Sequence, residues 1–270
     1  MTWSLKNWRR QSALRRAALP EDAWRAAVSG LPILRGLSED ELEHLRELAT
    51  LFLHEKQVVA AGGLSLDDDT RIKIAAQACL PILNLGLDYY AGWVSVIVYP
   101  DEFVPKHEFM DEAGVVHIVH DPVKGESWER GPVILSGADA VRLGEYDGVN
   151  VVIHEFAHKL DMLNGAMNGY PPLHPGMSTE RWAQSFNAAF TDFCTKVEAG
   201  METAFDPYGA ENPAEFFAVM SEAFFEVPHT LLQEYPDVYQ QLAVFYRQDP
   251  ALRRNEDGVT SHYDCRDQNG

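Results

Sequence analysis

Apolar residues recur at helical spacing through roughly the first ninety positions, in short β-branched runs over the next fifty, and at helical spacing again afterwards. Ser38-Glu-Asp-Glu41 is a capping-box pattern, and the helix it opens carries Leu42, Leu45, Leu48, Leu51 and Phe52 on one side. Thr70 to Leu85 reads as a second apolar helix, interrupted by Pro81, which has no amide to donate. Between them Gly62-Gly63 and Asp67-Asp68-Asp69 mark a loop. The acidic triplet lacks the glycine and closing glutamate of an EF-hand and reads as a solvated loop, not a cation site.

Trp93–Tyr99, Gly114–His120 and Gly131–Ser136 are short, β-branched and punctuated by Pro and Gly, which predicts strands. Gly131–Ser136 is the candidate edge strand, able to pair with an extended peptide, and Pro122–Arg130 reads as a loop bordering the same cleft. Next comes a helix with Val149, Val152, Ile153, Phe156, Leu160 and Leu163 on its apolar side, bounded by Asp147-Gly148 as cap and Asn164-Gly165 as stop. Asn164–Ser178, rich in Gly, Pro and Asn, is expected to be a mobile surface loop or lid. Thr179–Glu198 is a strongly amphipathic helix with Trp182, Phe186, Ala189, Phe190, Phe193 and Val197 in one stripe. Another opens at Asn212-Pro213, carries Phe216, Phe217, Met220, Phe224 and Phe225, and stops at Pro228; a last one runs from about Pro236 to Arg247. The expected fold class is α+β, mainly helical, with a small sheet preceding the His154/His158 helix. Its divisions are an N-terminal helical region over 1–90 packed on the core, a catalytic domain over 91–253 and a polar tail over 254–270.

Composition narrows the partners. Twenty-two Lys and Arg against 41 Asp and Glu leave a net charge of −19, which repels phosphate backbones and anionic membranes, so no direct nucleic-acid contact and no membrane association is expected. Lys6, Arg9, Arg10, Arg15 and Arg16 gather at the N-terminus without the apolar run of a signal peptide; they read as a solvated helix face, with a partner-binding arm as the alternative. Cys79, Cys194 and Cys265 are widely spaced and suggest neither a disulfide framework nor a cysteine metal site, which fits the cytoplasm.

The candidate chemistry lies in His154-Glu-Phe-Ala-His158. Residues four apart share a helix face, so both imidazoles can reach one cation while Glu155 reaches a water on its open side, the H-E-x-x-H arrangement of zinc hydrolases. His54-Glu55 and His107-Glu108 lack the second histidine, having Val58 and Asp111 in its place. Two histidines need a third protein ligand. The metzincin extension is excluded, because Asp161 and Asn164 occupy its glycine and histidine positions. That leaves a carboxylate from a later helix, and the residues alone leave Glu215 and Glu222 open, the other serving as support. Glu215 also fits a capping-box role, and Asp161 either orients a histidine or faces solvent.

Val151-Val-Ile-His-Glu-Phe-Ala-His-Lys-Leu-Asp161, the strand Gly131-Pro-Val-Ile-Leu-Ser-Gly137 and the block from Pro207-Tyr-Gly-Ala-Glu-Asn-Pro-Ala-Glu-Phe-Phe through Glu222 together resemble the Mlc titration factor A family. The resemblance implies a cytoplasmic, zincin-like Zn2+ aminopeptidase with a core similar to anthrax lethal factor, whose members also bind the glucose-responsive repressor Mlc. It implies His154, His158 and Glu215 as zinc ligands, Glu155 as base, Glu222 behind the ligands and Tyr208 as a donor to the oxyanion or leaving amine. It also implies that His117 can approach the metal in a resting state. Two function classes follow: a peptidase acting on a peptide substrate, and a protein that mainly sequesters a repressor, with slight peptidase activity. A metal-free helical protein is the third, plainest reading.

Overall fold

In the computed structural model, the Ser38 hydroxyl accepts from the Glu41 amide at 3.2 Å while the Glu41 carboxylate accepts from the Ser38 amide at 2.9 Å, so both halves of the predicted capping box are made. The structure describes residues 5–100, 131–137 and 148–253, together with the backbone of 106–110, 116–120, 125–127 and 254–256. Helices α1 (Leu5–Ala17), α2 (Glu21–Ser29), α3 (Glu39–Glu55) and α4 (Asp68–Cys79) precede α5 (Val151–Asp161). After it come α6 (Thr179–Glu198), α7 (Pro213–Glu226), α8 (Pro228–Glu234), α9 (Pro236–Tyr246) and α10 (Pro250–Glu256). The strands are β1 (Gln57–Ala60), β2 (Ser95–Tyr99), β3 (Lys106–Met110), β4 (Val116–His120), β5 (Gly125–Ser127) and β6 (Val133–Ser136). The expected class, mainly helical α+β with a small sheet ahead of the α5 helix, is what the chain adopts.

Four strands form one sheet in the order β1-β2-β6-β5, the first three parallel and β5 antiparallel to β6, while β3 and β4 make a separate antiparallel pair. The first third is mostly helical, as expected, and also holds a strand, because Gln57–Ala60 pairs with Ser95–Val98; four residues one position beyond a helix carry no readable period. One sequence expectation changes: Gly131–Ser136 is not the edge. β6 has neighbours on both sides, and β5, inside the stretch read as a loop, takes the edge. The unbroken burial of Val133, Ile134, Leu135 and Ser136 is the signature of an interior strand.

The acidic triplet has a structural use: Asp67 caps α4 by accepting from the Thr70 amide at 2.8 Å, and Asp69 pairs with Lys73 at 2.7 Å. On α1, Lys6 pairs with Asp88 and Arg10 with both Glu55 and Asp88, which tethers part of the basic cluster to the body while Arg9, Arg15 and Arg16 stay exposed. The loop after α5 is not a loose lid. Asp161 is fully buried and accepts the amides of Asn168, Gly169 and Tyr170 at 2.8, 2.7 and 2.8 Å, so it neither faces solvent nor serves a histidine. Gly169 sits at φ 74° against the Pro213 carbonyl, where a Cβ has no room.

α5 runs through the centre, with all eleven of its residues buried. Phe156 holds it in an aromatic cluster, its ring 5.7 Å from Phe52, 5.0 Å from Tyr90 and 5.7 Å from Trp93. Among the described residues no helix is long and apolar enough to cross a membrane. Phe52 is fully buried in that cluster, so Phe52→Ala is expected to cost about 3–5 kcal/mol in denaturant unfolding, whereas Ser38→Ala, which removes only a cap, is expected to cost about 1 kcal/mol.

Candidate metal centre

α5 begins one residue after Asn150, whose side chain accepts from the Ile153 amide at 3.0 Å. This cap lies closer to the helix than the expected Asp147-Gly148; Asp147 is outside the described residues, and Val149 and Leu163 fall beyond the helix and are exposed. At the other end Gly165, in the left-handed region, stops the chain after a short 3-10 turn, as its sequence predicts. α7 starts from Asn212, which accepts from the Ala214 and Glu215 amides at 2.9 and 3.1 Å. With the cap satisfied by Asn212, the Glu215 side chain is free to leave the helix end, and it points into α5.

Three donor atoms meet there. His154 Nε2 lies 2.9 Å from Glu215 Oε2, His158 Nε2 lies 3.2 Å from the same oxygen, and the two Nε2 atoms are 3.2 Å apart. Zinc bonds of about 2.0–2.1 Å at tetrahedral angles separate ligand atoms by about 3.3 Å, so this triangle has the dimensions of three ligands around one ion. His154, His158 and Glu215 are the group among the described residues able to hold a metal. Glu222 stands behind them, its Oε1 2.7 Å from His154 Nδ1. Of the two glutamates left open by residue spacing, Glu215 faces both Nε2 atoms and Glu222 faces the far side of one ring.

Glu155, next to His154 on α5 and within reach of the charges of His154 and Glu215, is 2 % exposed, and its Oε2 is buried without a hydrogen-bond partner among the described residues. Burial, outweighing the pull of His154, pushes its carboxyl up to about 8. Burial also acts on Glu215, but hydrogen bonds from His154 and His158 overcome it and bring that carboxyl down to about 2. For His154, burial is outweighed by the charge of Glu222 and by bonding to Glu215 and Glu222, which raises the imidazole; for His158, burial prevails and lowers it. Tyr208 sits in a short turn whose Gly209 packs against Val219 and Phe193, and its ring is 6.0 Å from that of His154. Burial and the neighbouring charges of Glu215 and Glu211 raise its phenol, keeping it a proton donor. The backbone of His117 pairs with Phe109 in the β3–β4 ladder; its side chain lies outside the described residues.

Sequence reasoning missed the floor of this centre. Asn150, Gln77 and Glu226 are buried, and the Asn150 amide donates to both of the others, while its backbone N–H donates to Glu222. The available signal was an asparagine directly before the first helical residue, the preferred cap position. A model of the glucose-regulated metallo-peptidase M90 family matches residues 5–247, a span that contains every residue of the cluster. Mlc titration factor A of Escherichia fergusonii is 38% identical over 94% of this chain and 97% of its own length. The protein of that name from Klebsiella pneumoniae subsp. pneumoniae is 36% identical over 96% and 97%, and that from Cronobacter sakazakii 38% over 88% and 90%.

Because the Glu215 carboxyl lies below its ordinary 4.5 in the folded chain, ionised Glu215 contributes stability that is present above that pH and lost as pH falls from 4.5 through about 2. In chelator-treated protein, the gap in melting temperature between parent and Glu215→Gln is therefore expected to shrink across that window. A gap that widens toward acid removes the assigned coupling.

Proposed function

Because the chain belongs to the glucose-regulated metallo-peptidase M90 family, we propose that it hydrolyses peptides as a zinc-dependent aminopeptidase. The observation that carries this reading is the convergence of His154, His158 and Glu215 donor atoms, all within 4.8 Å of one another, next to Glu155, whose buried Oε2 has no partner among the described residues. His154, His158 and Glu215 would hold the metal; two imidazoles and a carboxylate are the donor set of a catalytic zinc site. When bound, zinc supplies Lewis acidity at the scissile carbonyl and lowers the pKa of its water. Glu155 takes a proton from the attacking water and passes it to the leaving amine, a role suited to a carboxyl whose burial makes it a stronger base. Tyr208, held protonated, donates to the oxyanion as the carbonyl becomes tetrahedral. Glu222 fixes the His154 ring from its Nδ1 side. Preference for a free N-terminus rests on the family resemblance of the motif and the Pro207–Glu222 block.

The name shared by the relatives favours a second function in the same protein, binding of a Mlc-like, glucose-responsive transcriptional repressor. A cytoplasmic location is supported by such a partner and by the free thiols of Cys79 and Cys194, which suit a reducing compartment.

Glu155→Gln is expected to keep parental zinc content and lose about 10²–10⁴-fold in turnover of peptides with a free N-terminus, N-acetylated peptides being poor substrates for both proteins. Undiminished turnover would remove Glu155 as the base, and cleavage of blocked peptides at equal rates would remove the aminopeptidase assignment. His158→Ala is expected to abolish hydrolysis while leaving repressor binding, measured by calorimetry, within a few-fold of parent. Loss of both in a folded variant would mean that the two functions share one surface.

A further inference from the structure

Beneath the metal centre, Asn150 makes more hydrogen bonds than a helix cap requires. Its Oδ1 accepts from the Ile153 amide at 3.0 Å, which completes the cap. Its Nδ2 donates to Gln77 Oε1 on α4 at 2.8 Å and to Glu226 Oε1 on α7 at 2.8 Å. Its backbone amide donates to Glu222 Oε2, and Glu222 Oε1 meets His154 Nδ1 at 2.7 Å. One side chain, 6 % exposed, thus uses its acceptor and both donors on three different helices.

We propose that Asn150 is a positioning residue of the metal centre: its amide locks its own backbone N–H onto one oxygen of Glu222, which leaves the other to orient the His154 ring. This inference rests on the reading of His154 as a metal ligand. Capping alone does not select asparagine, because Asp, Ser and Thr cap as well or nearly so. The two amide donors select it, since Gln77 and Glu226 both present oxygens. The terminal torsion of a carboxylate is soft, so Glu222 needs a fixed donor on one oxygen to hold the other in line with an imidazole. An imidazole held at Nδ1 presents Nε2 in a single direction, toward Glu215 Oε2 and His158 Nε2.

Asn150→Asp separates the roles. Aspartate retains the capping oxygen but turns a carboxylate toward the oxygens of Gln77 and Glu226. The test is zinc affinity, measured on the full chain by competition with a chelator well below each variant's melting temperature. Asn150→Asp is expected to bind zinc about 10–100-fold more weakly than the parent. Ser38→Ala, which removes a distant cap, is expected to lower the melting temperature without moving zinc affinity. If Asn150→Asp binds zinc within twofold of the parent and merely melts earlier, as Ser38→Ala does, Asn150 is only a cap and the proposal is overturned. Should the aspartate variant fail to fold, Asn150→Ser, which keeps a capping oxygen and lacks the amide, carries the same expectation and the same criterion. Parental zinc affinity in His158→Ala would instead overturn the metal-site reading itself, and this inference with it.

Discussion

The constraint on which the structure depends is that α5 has no solvent face. All eleven of its residues are buried, yet His154, Glu155, His158, Lys159 and Asp161 are polar or ionisable. Inside a protein such groups are tolerated only with partners, so the neighbouring elements are laid out to supply them. Asp161 takes three loop amides, Lys159 donates to the Gly131 carbonyl at 3.1 Å ahead of β6, and the histidines turn to α7. Glu155 Oε2 is left without a partner among the described residues. The helix is thus a polar seam in an apolar interior, and the candidate metal ligands His154 and His158 lie in that seam.

α7 answers that seam with a stripe of its own. Glu215, Glu222 and Glu226 are seven and four residues apart, which places them within about 40° of one another around a helix of 3.6 residues per turn. The aromatic pairs on the rest of the helix hold that stripe in place. Phe216 packs against Phe190 and Phe193 at 5.5 and 5.7 Å, Phe217 against Trp182 at 6.0 Å, and Phe224 against Tyr239 and Tyr246 at 5.1 and 5.5 Å. Apolar burial on one side therefore determines which acids face α5 on the other. Of these acids Glu215 meets both imidazoles at Nε2 and Glu222 meets His154 at Nδ1, so the stripe supplies one carboxylate to the candidate metal cluster and one behind it.

Local signals were readable where local physics decides. The α3 capping box, the α6 aromatic stripe, the α7 start at Asn212-Pro213 and the i, i+4 histidines each depend on residues of a single helix. β1 was not readable, because four residues after Lys56 become a strand only through pairing with β2. The edge strand was misplaced for the same reason: β6 and β5 differ in what lies beside them, and only the burial of all four β6 residues hints at which is inside. Glu215 and Glu222 could not be separated by spacing, since residues seven apart share a face. What separates them is the height of α7 against α5, a long-range packing distance that no period encodes. Asp161 was misread because its partners are amides of a loop whose glycines and prolines suggested freedom.

The roles proposed for Glu155 and Glu215 follow from one physical difference between two buried carboxylates. Both are penalised by burial, but Glu215 receives two imidazoles and falls to about 2, whereas Glu155, flanked by the charge of Glu215 and without a partner at Oε2 among the described residues, rises to about 8. A group held anionic at every working pH is suited to stay on a cation; a group that titrates near neutrality is suited to take and release a proton. A divalent ion seated between His154, His158 and Glu215 opposes the rise at Glu155 without removing the burial that causes it. The two positions are therefore not interchangeable in role, although both carry a glutamate. At position 215 two imidazole Nε2 atoms converge on one carboxylate oxygen, whereas at position 155 Oε2 has no hydrogen-bond partner among the described residues.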